Sequence, residues 1–317
     1  MNFPLSQPPR SRSISCICFL FAFLIPLAIT GCDAGLPEPP TGGEGPGHRQ
    51  QVLALRPDQE LAVGQQAYRQ VLQEYRGRIL PADDPRVRRV RAVVVRIVRA
   101  AGIEPLQREI NLHVKGYRFE WEANVIEDRR VNAFCLPGGK IVVYSAILQV
   151  AQNDDQLATV LSHEIAHALA HHSNERVTRE ESGRVNVLLN KAFDRQQESE
   201  ADHIGIFLMT FAGYNPEEAT RFWERMRQLS QGREIPEFLS DHPSDERRIR
   251  DIERWVPKAE AAKRAFDKGN IASADSPKRQ AFALAPALTL APALTPSLTH
   301  THTLLPVELI STRQEQE

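Results

Sequence analysis

Cysteine is scarce in this 317-residue chain: there are four, at positions 16, 18, 32 and 135, and the first two lie in an amino-terminal apolar run. If that run is removed, an internal disulfide framework is excluded. Charge of one sign is also lacking, with 39 basic against 40 acidic residues, so no sequence-wide basic field points to nucleic acid. No repeat of 30 to 50 residues is visible, which argues against a helical-repeat module. After Cys32 no apolar run approaches the roughly 18 residues that a membrane-spanning helix requires.

The amino terminus does carry an apolar run. Arg10 and Arg12 precede Ile14 to Ile29, followed by Thr30, Gly31 and Cys32. This resembles a secretory signal ending in a bacterial lipobox, which implies cleavage before Cys32 and lipidation of that residue. An uncleaved anchor is the alternative, but sixteen residues interrupted by Pro26 are short for a span of about 20. The expectation is a domain tethered by lipid to a membrane of the bacterial envelope and facing the periplasm. Asp33 resembles an inner-membrane retention signal, without deciding between the two membranes.

Four segments follow: a signal peptide (1–31), lipidated Cys32 with a Pro- and Gly-rich tether (32–51), a folded domain (52–257), and a tail rich in Ala, Leu, Pro and Thr (258–317). Within the domain, Pro57 and Pro85 open two amphipathic helical patterns. Ile110, Leu112 and Val114 then alternate at period two, and "RRVNAFCL" and "KIVVYS" flank Pro137-Gly138-Gly139 as a hairpin. Helical patterns return from Ala146 onward, including 193–212, 216–230 and 244–255. Strands set between helical blocks predict an α+β fold with a small antiparallel sheet. The pattern sets no oligomeric state.

The stretch "LSHEIAHALAHHS" places His163 and His167 four residues apart with Glu164 beside them. On a helix both imidazoles share a face and can reach one Zn²⁺ at about 2.0–2.1 Å, with Glu164 as catalytic base. Surrounding apolar positions predict a buried helix. His171 lies too far along the axis, about 12 Å from His163 at 1.5 Å per residue, to share the ion. His171 and His172 read as residues of a frayed helix end. In "QQESEADHIGIFLM", Glu198 and Asp202 share a face and Glu200 is about 200° from Glu198. Glu198 is the expected third ligand and Asp202 the carboxylate behind a ligand imidazole. Glu200 and His203 are expected in solvent.

These motifs, with "VNAFCLPGG" and "DHPSDERRI" in the same order, resemble the HtpX-type zinc metallopeptidases. That family also contains CAAX prenyl proteases and periplasmic quality-control proteases, and the resemblance covers roughly residues 55 to 255. It implies a zincin-like domain with one zinc per chain, hydrolysing peptide bonds of unfolded or damaged envelope proteins. It also implies that Glu198 is the third ligand, that Asn132, Ala133 and Phe134 line an edge strand that receives substrate, and that His242 lies near the zinc. His242 is there either as a stabiliser of the oxyanion or as an inhibitory ligand. Arg248 matches the end of the last motif without a derivable role, and Cys135 is expected to have no catalytic part. A binding lipoprotein with a silent or His-switched zinc site is the competing reading.

Overall fold

The computed structural model describes residues 51–179, 193–231, 236–242 and 246–269. Two amphipathic helices come first, α1 (Pro57–Glu74) and α2 (Pro85–Ala101), each with proline in its first turn, where no amide hydrogen bond is lost. A short helix, α3 (Glu104–Glu109), follows, and the segment 110–114, where period two predicted a strand, is a turn and irregular chain. The alternation is real as burial, because Ile110, Leu112 and Val114 are all buried. It fails as strand pairing because the amides of Asn111 and Leu112 close back on Arg108 and Gln107, with Asn111 in the left-handed region at φ 49°. Those two bonds form a helix-terminating Schellman turn.

The sheet has three strands, β1 (Glu122–Ile126), β2 (Ala133–Leu136) and β3 (Lys140–Tyr144), in the order β1-β3-β2. The expected hairpin is β2-β3, antiparallel about the Pro137-Gly138-Gly139 turn. β1 runs parallel to β3, so the sheet is mixed and not purely antiparallel. Every residue of β3 is buried because both faces are covered. Val142 and Tyr144 face α1 with Tyr68 and Val71, whereas Ile141 and Val143 join the larger core. Gly64 is required on α1, since a Cβ there would fall 1.9 Å from the carbonyl oxygen of Pro137.

The larger core is built on α5 (Asp154–Leu169), which follows the short α4 (Ile147–Val150). Asn153 caps α5 by accepting the amide of Gln156, and acidic Asp154 and Asp155 sit in the first turn. Next come α6 (His172–Arg179), α7 (Arg195–Phe211), α8 (Glu217–Ser230), α9 (Glu237–Asp241) and α10 (Glu246–Asp267). Asp194 caps α7 in a reciprocal box with Gln197. α10 continues through Pro257 to Asp267, so the residues just after 257 are helical and not part of a low-complexity tail. The fold is α+β and mostly helical, as the pattern predicted. Among the described residues, no helix is long and apolar enough to cross a membrane.

Candidate metal centre

α5 and α7 pack closely because α7 presents Gly205 to the backbone of α5. A Cβ at Gly205 would stand 3.2 Å from the amide nitrogen of His163 and 3.3 Å from its Cα. This contact brings one face of α7 onto the His163–His167 face of α5. His163, His167, Glu198 and His242 each turn one donor atom toward a common point, all within 4.8 Å of one another, and all four are buried. The Nε2 atoms of His163 and His167 are 3.0 Å apart. Glu198 Oε1 is 3.4 Å from His167 Nε2, and its Oε2 is 3.4 Å from His163 Nε2. Nδ1 of His242 is 3.2 Å from His163 Nε2 and 2.9 Å from Glu198 Oε1.

The residues behind these four decide which protons they carry. Nδ1 of His163 is 3.0 Å from Oδ1 of Asp202, within hydrogen-bond reach of a carboxylate. Nδ1 of His167 is 2.9 Å from Nδ1 of His172. With the Nδ1 protons on the sides of Asp202 and His172, both Nε2 lone pairs would be left to the shared point, where each nitrogen lies 3.4 Å from an oxygen of Glu198. Lone pairs converging in a buried site fit a cation, and donors around tetrahedral zinc lie about 3.3 Å apart, the scale of these separations. Burial works against charge on His163, but Asp202 and Glu198 outweigh it and raise its pKa. Burial dominates at His167 and depresses its pKa well below the ordinary value. For Glu198 burial is opposed and outweighed by His242, Arg248 and His163, which hold its carboxyl well below the usual range.

Glu164 lies at the rim of this cluster. The backbone amide of Cys135, on β2, donates to its Oε2 at 3.2 Å, and its Oε1 is 3.2 Å from Nε2 of His242. Burial pushes its pKa up to about 7, with the nearby His242 opposing. The Cys135 thiol is buried and its pKa is raised by burial and by Glu164, so its sulfur stays protonated.

Several residues of the site were read differently from the sequence. His171 and His172 are not at a frayed end: both are buried, His171 against Glu60 at 2.9 Å and His172 between His167 and Glu200. Glu200 is buried, not solvent-exposed, because α6 folds back onto it. His203 is partly buried beside Phe207 and Trp255. Arg248, for which the sequence offered no role, donates Nε and Nη2 to the two oxygens of Asp202 at 2.7 and 2.8 Å. Its Nη1 lies 2.8 Å from Glu198 Oε2 and its guanidinium stacks on Trp223. Phe193 stacks on His167 at 3.7 Å and belongs to no sequence motif.

The edge-strand residues lie beside the cluster. Ala133 and Phe134 are on β2, the edge of the sheet, whereas β1's outer side is met by Ile79 and Leu80. Asn132 immediately precedes β2, and its side-chain amide donates to Glu237 and Asp241 at 3.0 Å each, fastening α9. The amide of Phe238 donates to the Val131 carbonyl. His242 follows α9 directly, so this anchorage places it in the cluster.

Comparison with known proteins extends the motif evidence. The chain is 37% identical over 232 residues to "Mitochondrial metalloendopeptidase OMA1" of Schizosaccharomyces pombe, covering 66% of this chain and 65% of that protein. It is 35% identical over 226 residues to the protein of the same name from Saccharomyces cerevisiae, covering 63% of this chain and 64% of the relative. The chain therefore spans slightly under two thirds of these fungal relatives. "Beta-barrel assembly-enhancing protease" of Escherichia coli is more distant, 27% identical over 182 residues, covering 47% of this chain and 37% of the relative. These relatives support the broad family and not the HtpX-type branch within it. The better-matching ones being mitochondrial also overturns the placement as a lipid-anchored, periplasm-facing protein of the bacterial envelope. Cys32 and the leader on which that placement rested lie outside the described residues. The model of "Peptidase family M48" matches residues 89–189 and 182–256, more than half of the chain, and the chain belongs to that metallopeptidase family.

Proposed function

We propose that the protein is a zinc-dependent endopeptidase that cleaves extended segments of unfolded or damaged proteins. The observation that carries this reading is the convergence of His163, His167 and Glu198 on one buried point with Glu164 alongside. One zinc ion per chain, held by these three ligands, would supply a Lewis acid for the scissile carbonyl and for water. Asp202 keeps the His163 proton on Nδ1, away from the metal side. Arg248 Nη1 lies 2.8 Å from Oε2 of Glu198, and each oxygen of that carboxylate remains 3.4 Å from one ligand imidazole nitrogen.

Glu164 takes the proton of the attacking water and returns one to the leaving amine. A carboxylate can do both, accepting a proton when ionised and donating one when protonated. The Cys135 amide fixes the orientation of its carboxylate. An extended peptide can lie along the outer edge of β2, past Asn132, Ala133 and Phe134, donating its amides to strand carbonyls, since the outward amides of Ala133 and Cys135 are held by Asn132 and Glu164; recognition by backbone hydrogen bonds reads little sequence. That mode favours unfolded chains over folded ones.

His242 supports a resting state of the same enzyme. A catalytic zinc needs an open position, and His242, with Nδ1 2.9 Å from Glu198 Oε1 and Nε2 3.2 Å from Glu164 Oε1, would be a fourth ligand to it. On this reading His242 is an inhibitory ligand, and withdrawal of α9 exposes the site. Mass spectrometry of reduced, unfolded casein incubated with the zinc-loaded protein tests the substrate class. Internal cleavages are expected, with folded substrates spared; release of single terminal residues would count against endopeptidase action.

A further inference from the structure

His163 and His167 are backed differently. His163 meets a carboxylate directly, through Asp202. His167 meets a second imidazole: its Nδ1 is 2.9 Å from Nδ1 of His172, whose Nε2 is 3.0 Å from Oε2 of Glu200. His172 and Glu200 are both buried, at 0% and 5% exposure, so the pair incurs a desolvation penalty that an apolar pair would not.

A local backbone feature makes this contact possible. α5 ends at Leu169, and His171 adopts φ 56° in the left-handed region, which only a minority of non-glycine residues enter. The chain turns there, so that His172, the first residue of α6, points its ring back at His167. His171 is held in place by Glu60 and stacks with Tyr117 at 3.6 Å. Gln197 donates to the carbonyl of His172 at 3.2 Å. The turn of α7 that supplies Glu198 therefore also supplies Gln197 and Glu200, which grip His172.

The tautomers follow in one direction only. If Nε2 of His167 is to offer a lone pair to a cation, its proton must be on Nδ1 and must be donated to Nδ1 of His172. The remaining His172 proton is then on Nε2 and is donated to Glu200. The chain ends on a carboxylate, which can only accept. We infer that His172, fixed by Glu200, is a positioning residue that sets the tautomer and ring angle of the metal ligand His167. This rests on the zinc reading above and adds two residues to it.

Two substitutions separate this role from packing. Asn at 172 places its Oδ1 near the position of the imidazole Nδ1 and keeps an acceptor for His167. Gln reaches instead toward the Nε2 position, keeping Glu200 company while removing that acceptor. Zinc dissociation constants from chelator competition, and the ligand-field spectrum of the Co²⁺ form, are measured for wild type, His163→Ala, His172→Asn, His172→Gln and Glu200→Ala. Metal-free melting curves confirm folding, and Glu200→Ala keeps the test open where a His172 variant does not fold. His172→Gln and Glu200→Ala should weaken zinc roughly 10- to 100-fold and alter the Co²⁺ spectrum, with His172→Asn closer to wild type. Gln binding zinc as tightly as wild type, or Asn as weakly as Gln, would overturn the inference while His163→Ala still loses zinc. A wild type that binds no zinc would overturn the underlying reading as well.

Discussion

Nδ1 of His242 lies 2.9 Å from Oε1 of Glu198, across 44 positions of sequence, in the same cluster as His163 and His167. Its backbone carbonyl accepts from Arg248 at 3.3 Å, and its ring packs on Phe238, with centroids 4.6 Å apart. On the proposed reading His242 is an inhibitory ligand. His242→Ala should therefore weaken zinc binding and raise kcat on the order of tenfold, equivalent to a barrier lower by about 1.4 kcal/mol. A fall in kcat with unchanged zinc affinity would assign it to transition-state stabilisation.

Arg248 is the cation for two buried carboxylates, Asp202 and Glu198. Removing one partner of a buried ion pair costs about 3–5 kcal/mol because the remaining charge loses its compensation. Arg248→Met should lower the melting temperature of metal-free protein accordingly, and added zinc should restore part of the loss by binding the folded state. Unchanged melting would show that the guanidinium is not the main compensation.

The close approach of α5 and α7 depends on Gly205. Alanine asks its neighbours to yield by a few tenths of an ångström, whereas a branched side chain must push the backbone of His163 away. Gly205→Val is expected to cost roughly 1–3 kcal/mol in chemical denaturation and to weaken zinc, since Glu198 and Asp202 move with α7. Retained zinc affinity in this variant would mean that the helices can re-pack without moving the ligands.

Glu164 gives a pH dependence with a definite sign. Its pKa is about 7 in the folded metal-free protein against an ordinary value of 4.5, so the folded state holds the proton more tightly. Below about pH 4.5 both states are protonated and the group contributes no penalty. Between 4.5 and 7 the unfolded state ionises first and stability falls; above 7 the loss is complete. Metal-free Glu164→Gln should thus melt higher than wild type at pH 8 and at the same temperature near pH 4. The reverse order at pH 8 would contradict a buried, destabilising carboxylate.

The features legible in the sequence were those governed by local periodicity. Four-residue spacing put His163 with His167 and Glu198 with Asp202 on single helix faces, and the Pro-Gly-Gly turn marked the β2-β3 hairpin. What was not legible depends on tertiary contacts. β1 has buried Ala123 and Val125 at period two, but its partner β3 lies beyond the hairpin, so no short-range turn announces the pairing. Alternation at 110–114 records burial of an irregular segment and was misread as a strand. His172 and Glu200 were dismissed because their roles arise from a left-handed residue at His171, which no spacing rule anticipates. Arg248 joins α10 to α7 through contacts that no spacing rule reaches.

The central claim is that a zinc held by His163, His167 and Glu198 works with Glu164 as the base. Its most direct test is to measure zinc stoichiometry and unfolded-casein cleavage together in wild type and Glu164→Gln. The prediction is one zinc per chain in both proteins and a fall in kcat/KM of at least about 100-fold in the variant. Wild-type cleavage rates in Glu164→Gln at full zinc occupancy would contradict the account.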